Sequence, residues 1–152
     1  MTANKKIILS LLLVCLIVCT LFIWSNSLKN GEKSMAQSGQ VTTALKPVLN
    51  AARVPVAARD RLVRKAAHFL EFFLLGVLWT LNLKLWKFPC PGAFGLLFSA
   101  VTAACDEGMQ LLSDRSSRAS DVLLDSSGAA AGILLLLASA AIVRRCRSGS
   151  RA

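Results

Sequence analysis

Hydrophobic residues in this chain are concentrated in four blocks that alternate with polar stretches. The blocks run from about residue 7 to 24, 66 to 83, 93 to 112 and 122 to 143. Each block is close to the roughly 20 apolar residues that cross the hydrocarbon core of a bilayer as a helix. The pattern therefore predicts an all-α integral membrane bundle of about four transmembrane helices, with residues 1–152 forming a single domain.

The longest polar segment is a connector, residues 25–64, which separates the first block from the other three. Its first part, Ser25 to Gln40, is rich in Ser, Asn, Gly and Lys, a composition typical of a loop. Its second part, 41–64, mixes aliphatic and basic residues, and Pro47 and Pro55 divide it into short pieces. Such a basic amphipathic stretch either lies on the membrane surface or is an ordinary solvated linker, and the sequence leaves both open.

Composition and charge agree with a membrane protein. Hydrophobic residues make up 55% of the chain, the mean hydropathy is +0.57 and the net charge is +10. The basic residues lie at the ends of the apolar blocks and form no continuous basic face, so we predict no nucleic-acid partner. The five cysteines lack the spacing of a zinc site or a disulfide framework, and we interpret them as small apolar residues.

The basic residues also indicate an orientation. With four spans, Lys5, Lys6, Lys84, Lys87 and the Arg-rich tail fall on one side of the membrane, which the positive-inside rule places in the cytoplasm together with both termini. The other side carries a similar number of basic residues, so the rule does not decide alone. The first block is either a signal peptide or a retained helix, and its length of about 18 residues favours retention.

Ionisable residues within the second and third blocks are the exception to this apolar pattern. Lys65, His68 and Glu71 follow one another at i, i+3 spacing and share one helical face. Alternating helix directions place this face in the same leaflet as the end of the third block, where Asp106, Glu107 and Gln110 lie. Asp121 and Asp125 begin the fourth block on the same side.

Such residues in a bilayer normally face a protein interior or a wet cavity. They form either a buried network that holds the helices together or a functional site, and we favour the site because polar pairs in membranes stabilise only modestly. Gly128 and Gly132 form a G-x-x-x-G pattern that permits close helix contact in the fourth block.

Two stretches of this chain resemble the signatures of the VanZ-like family of small bacterial membrane proteins. RKAAHFLEFFLLG, residues 64–76, is similar to the family pattern K-x-x-H-F-x-E-[YF]-x-x-L-G. DEGMQLLSDRSSRASDVLLDSSGAAAG, residues 106–132, is similar to its D-E-x-x-Q, Arg-bearing loop and D-[VL]-x-x-[DN]-x-x-G-x-x-x-G pattern. The chain departs from the family in carrying Ser113-Asp114 where Pro-Gly is frequent, and Phe72 where Tyr is common.

The resemblance implies a place in the bacterial cell envelope and a contribution to resistance against glycopeptide antibiotics of the teicoplanin type, without supplying a reaction. We therefore expect the protein to bind or act on a lipid-linked or headgroup ligand in the outer leaflet, without a cofactor. The candidate ligand-binding residues are Lys65, Gln110, Arg115, Arg118, Asp121 and Asp125. Lys65, Arg115 and Arg118 suit a phosphate group.

An intramembrane hydrolase or transferase is the alternative. Its candidate catalytic residues are His68, Glu71, Asp106 and Glu107, with His68 as general acid or base. The same four residues form an alternative metal set. A proton-coupled transporter subunit ranks below both, because the polar residues extend through only half of the bilayer. The sequence does not indicate the oligomeric state.

Overall fold

The chain folds into helices joined by short turns. A computed structural model describes residues 3–28, 31–112 and 119–149, and these contain no strand. The helices are α1 (Ala3–Ser27), α2 (Gly31–Ala44), α3 (Lys46–Ala51), α4 (Val56–Leu85), α5 (Pro91–Leu112) and α6 (Ala119–Gly149). The predicted all-α architecture is confirmed.

Three of the described helices are long and apolar enough to cross a membrane, namely Ala3–Ser27, Val56–Leu85 and Ser120–Ser148. The fourth predicted span, α5, has 22 residues, and at 1.5 Å per residue it is about 33 Å long, which matches a bilayer core. Its hydropathy is lower because Asp106, Glu107 and Gln110 lie in its last two turns. The fold is therefore a membrane bundle in which α5 carries its polar residues at one end.

The four long helices alternate in direction. The carbonyl oxygen of Leu12 in α1 accepts a hydrogen bond from Asn82 near the end of α4, at 3.2 Å, whereas Asn26 at the other end of α1 bonds Glu71. The rings of Trp79 and Phe98 lie 4.8 Å apart where α5 begins beside the end of α4. The carboxyl end of α1, the first half of α4, the carboxyl end of α5 and the start of α6 therefore lie at the same end of the bundle.

Apolar side chains between α1, α4 and α5 form the core. Leu16 and Ile23 of α1 pack with Phe72 and Leu75 of α4 and with Ala103 of α5, and all five are buried. Only 11% of the 18-residue apolar stretch of α1 is buried, against 39% of the corresponding stretch of α4. The helix α1 thus turns most of its surface outward, whereas α4 is the central helix of the bundle.

The closest helix contact joins α4 and α6 through glycines. A Cβ atom at Gly76 would lie 2.6 Å from the carbonyl oxygen of Ala129, and Cβ atoms at Gly128 and Gly132 would meet the carbonyl oxygens of Phe69 and Phe73. The two backbones therefore touch, as small residues allow in membrane helices. The predicted role of the G-x-x-x-G pattern in close helix contact is confirmed within the chain.

The connector is more helical than its composition indicated. The expectation of a loop over Ser25 to Gln40 is wrong for most of that range, because α1 extends to Ser27 and α2 begins at Gly31. Pro55 stands before the first turn of α4, where the missing N–H of proline costs no helical hydrogen bond. Thr42 of α2 donates a hydrogen bond to Asp60 of α4 at 2.6 Å, so α2 lies against the start of α4.

We expect substitution of Gly132 by Ala to destabilise the bundle by about 1–3 kcal/mol, because the new methyl group would meet the Phe73 carbonyl oxygen and push α6 from α4. The measurement is the free energy of unfolding in detergent. The matched control is Gly108→Ala, also within a helix, where a Cβ atom meets nothing within 4 Å; there alanine should stabilise by up to about 1 kcal/mol. Equal stability of the two variants would contradict the close contact.

Candidate functional site

Polar side chains from all four long helices meet at one end of the bundle. We call this group the polar cluster; it consists of Asn26, Ser27, His68, Glu71, Asp106, Gln110 and Asp125. Each helix contributes where its apolar run begins or ends, so the cluster lies away from the middle of the bundle. Desolvated polar groups in a bilayer must find partners within the protein, which explains why they converge.

Asp106 is the most enclosed member, with none of its surface exposed. One carboxylate oxygen accepts a hydrogen bond from the Ser27 hydroxyl at 2.5 Å. The other accepts one from the side-chain amide of Gln110, one helical turn later, at 2.9 Å. Donors from α1 and α5 thus fix the orientation of this carboxylate.

His68 and Glu71 form the part of the cluster contributed by α4. The amide of Asn26 donates to one oxygen of Glu71 at 3.2 Å. The other oxygen of Glu71 lies 3.9 Å from Nδ1 of His68, one turn away on the same helical face. Both side chains are about four-fifths buried. The i, i+3 spacing therefore brings an imidazole and a carboxylate together, as the sequence predicted.

Asp125 of α6 is 3% exposed, and its Oδ1 atom accepts no hydrogen bond from the described residues. A ring nitrogen of His68 and one carboxylate oxygen each of Asp106 and Asp125 lie within 4.8 Å of one another. Three helices that are separate in sequence therefore bring an imidazole and two carboxylates to one point.

Lys65 and Asp121 form an ion pair beside the polar cluster. The Lys65 Nζ atom lies 2.7 Å from a carboxylate oxygen of Asp121, and the two side chains are 43% and 30% exposed. Lys65 precedes Glu71 by six residues, or about 9 Å along the helix. The side chain of Lys65 is thus partly accessible from outside the bundle.

The sequence predicted that most of these residues share one leaflet, and the structure places them at one end of the bundle. The sequence did not specify their partners. Of the alternative metal set, His68 and Asp106 belong to the close group of three, whose third member is Asp125. Glu107 is buried, at 6% exposure, but lies outside that group. Gln110 contacts Asp106 directly. Arg115 and Arg118 lie outside the described residues.

Asn26 and Ser27 are functional candidates that the sequence reasoning did not select. Their positions just after the first apolar block made them look like the start of a loop. They lie at the end of a membrane helix, opposite acidic residues of α4 and α5. The signal in the sequence that could have identified them is a pair of short hydrogen-bonding side chains at the same membrane depth as the carboxylates.

Comparison with known proteins identifies a protein family. The protein family described as VanZ/LLP1 matches residues 10–143, which include every member of the polar cluster. Searches of curated proteins and of solved structures gave no significant match.

We expect substitution of Ser27 by Ala to lower the free energy of unfolding by about 1–2 kcal/mol, because a buried Asp106 oxygen loses its hydroxyl donor. The measurement is unfolding in detergent. The control is Ser25→Ala, since the Ser25 hydroxyl is exposed and bonds only the Phe22 carbonyl in its own helix; its effect should stay within about 0.5 kcal/mol. A Ser27 variant as stable as the control would argue against this contact.

Proposed function

Because the chain belongs to the VanZ-like family, matched here as VanZ/LLP1, we propose that this membrane protein binds a lipid-linked or headgroup ligand through its polar cluster. The supporting observation is the convergence of buried polar side chains from four helices at one end of the bundle. A ligand that remains anchored in the bilayer would meet them at the depth of the lipid headgroups.

The ligand we infer carries phosphate. Lys65, whose side chain is partly exposed, supplies an ammonium group beside the cluster. Arg115 and Arg118 belong to the segment that joins α5 to α6, both of which reach this end of the bundle. Arginine forms paired hydrogen bonds with phosphate oxygens, and lysine binds phosphate as a point charge. These three cations would hold the phosphate while the acidic residues contact other parts of the ligand.

The proposed biological setting is the bacterial cytoplasmic membrane, with both termini in the cytoplasm and the polar cluster in the outer leaflet. There the protein would contribute to resistance against teicoplanin-type glycopeptides by acting on an envelope lipid. The alternation of the four long helices supports both termini lying on the side opposite the cluster. The basic residues Lys5, Lys6, Lys84 and Lys87 lie on that same side.

An intramembrane hydrolase or transferase is the second candidate. It is favoured by His68, whose Nδ1 atom lies 3.9 Å from Glu71 and which is grouped with Asp106 and Asp125. An imidazole beside carboxylates has the composition needed for proton transfer to or from a substrate. On this reading Glu71, Asp106 or Glu107 would orient His68 or activate water.

The orientation is tested with variants that each retain one of the five native cysteines and lack the other four. Cys90, in the turn between α4 and α5, and Cys146, near the end of α6, are exposed at the end opposite the polar cluster. A membrane-impermeant maleimide should label them only after spheroplasts are permeabilised. In a chain without native cysteines, Ser120→Cys near the cluster should react without permeabilisation. The reverse labelling pattern would place the cluster in the cytoplasmic leaflet.

Ligand binding is tested with a polyprenyl diphosphate in nanodiscs and with teicoplanin susceptibility. Lys65→Gln and Arg115→Ala should each weaken binding about tenfold, since one charged contact with phosphate is lost. Expression of the wild-type chain should raise teicoplanin tolerance, and both variants should reduce this effect at equal protein level.

The control for this experiment is Lys84→Gln, because Lys84 lies on the same helix at the opposite end and should behave as wild type. Unchanged binding and tolerance in Lys65→Gln and Arg115→Ala would contradict the proposal. Release of phosphate from the diphosphate, lost in His68→Gln, would establish the enzyme instead of a binding protein.

A further inference from the structure

We propose that His68, Asp106 and Asp125 form a binding site for a single divalent transition-metal ion within the polar cluster. The three residues come from α4, α5 and α6, and their donor atoms lie within 4.8 Å of one another. Ligands of one ion at bond lengths of about 2.1 Å lie at most about 4.2 Å apart. Small side-chain rotations would therefore complete the coordination.

Asp125 provides the independent evidence for a ligand here. Its carboxylate is 97% buried, being 3% exposed, yet Oδ1 accepts no hydrogen bond within the described part of the chain. A buried carboxylate oxygen without a partner destabilises the folded protein. A cation bound at this oxygen would supply the missing partner.

The charge of the group also favours a cation. Two buried carboxylates meet at this point, and Glu71 adds a third beside His68. Simultaneous ionisation of these carboxyl groups is unfavourable without a cation, because water does not screen their mutual repulsion inside a membrane protein. Lys65 lies 2.7 Å from Asp121, so its charge is directed toward that carboxylate. A divalent ion between Asp106 and Asp125 would convert the repulsion into attraction.

The surrounding contacts resemble the outer shell of known metal sites. Ligand carboxylates are commonly held by hydrogen bonds, and Ser27 and Gln110 hold Asp106 in this way. A metal-bound histidine usually donates its other ring N–H to a carboxylate, and Glu71 lies 3.9 Å from His68 Nδ1. With the metal on Nε2, Glu71 would fix the ring orientation, which makes it a positioning residue.

The donor set selects the class of metal. Imidazole nitrogen suits Zn²⁺ and Fe²⁺, and carboxylate oxygens also suit Mn²⁺, whereas Ca²⁺ takes six to eight oxygen ligands. Three protein ligands also leave coordination positions open, which a water molecule or a phosphate oxygen would occupy. The metal site would therefore suit the phosphate-bearing ligand proposed above, but it does not depend on that proposal because the ion binds to the protein alone.

The test uses the full chain purified in detergent and stripped with a chelator. Titration with Mn²⁺ or Zn²⁺, followed by elemental analysis, should give one ion per chain, and Ca²⁺ should bind far more weakly. Asp125→Asn should lower the affinity more than about tenfold, and Glu71→Gln by about tenfold. The matched control is Asp60→Asn near the start of α4, where the carboxylate accepts a hydrogen bond from Thr42. This variant should bind the metal as wild type does.

Pulsed electron paramagnetic resonance (electron spin-echo envelope modulation) of bound Mn²⁺ tests His68 as a ligand even if Asp125→Asn fails to fold. The wild-type spectrum should contain the coupling of one imidazole nitrogen, and His68→Gln should remove it, since His68 is the only histidine of the chain. Absence of stoichiometric metal, a wild-type spectrum without nitrogen coupling, or full affinity in a folded Asp125→Asn chain would each overturn the site. A wild-type chain that binds the metal but not the polyprenyl diphosphate would instead count against the proposed function alone.

Discussion

The cost of placing ionisable side chains in a bilayer determines how the helices of this protein are arranged. Water is not available to the buried carboxylates, so each must meet a donor or a cation within the protein. Asp106 satisfies this requirement with Ser27 from α1 and Gln110 from its own helix. The end of α1 is thereby tied to the end of α5, although 79 residues separate the two partners in sequence.

The glycine contact between α4 and α6 is what allows the polar groups to meet. Gly128 lies less than one turn after Asp125, and its surface touches the carbonyl of Phe69, the residue after His68. A side chain at Gly128 would separate the two backbones and draw Asp125 away from His68. The packing of small residues and the chemistry of the cluster are therefore parts of one arrangement, because the first sets the distance that the second requires.

Periodicity and hydropathy were sufficient to predict the long helices and the shared faces of the polar residues. The hydrogen bond between Asp106 and Gln110 follows from their i, i+4 spacing. The partners across helices could not be predicted, because they depend on crossing angles and on how closely backbones approach. This is why Asp125 joins His68 and Asp106, whereas Glu107, adjacent to Asp106 in sequence, does not. The helix α2 was missed because its polar composition is typical of loops.

Asp125 distinguishes the polar cluster from a network that only joins helices. In a network that only joins helices, every buried acceptor should have a hydrogen-bond donor. Polar pairs in membranes stabilise by only about 0.6 kcal/mol on average, so one unsatisfied acceptor would offset that stabilisation. Asp106 meets this condition, because each of its carboxylate oxygens accepts a hydrogen bond. Asp125 does not, since one of its buried oxygens receives no donor from the described residues. An unsatisfied acidic side chain beside His68 destabilises the bundle instead of joining its helices. A ligand that carries positive charge explains its position.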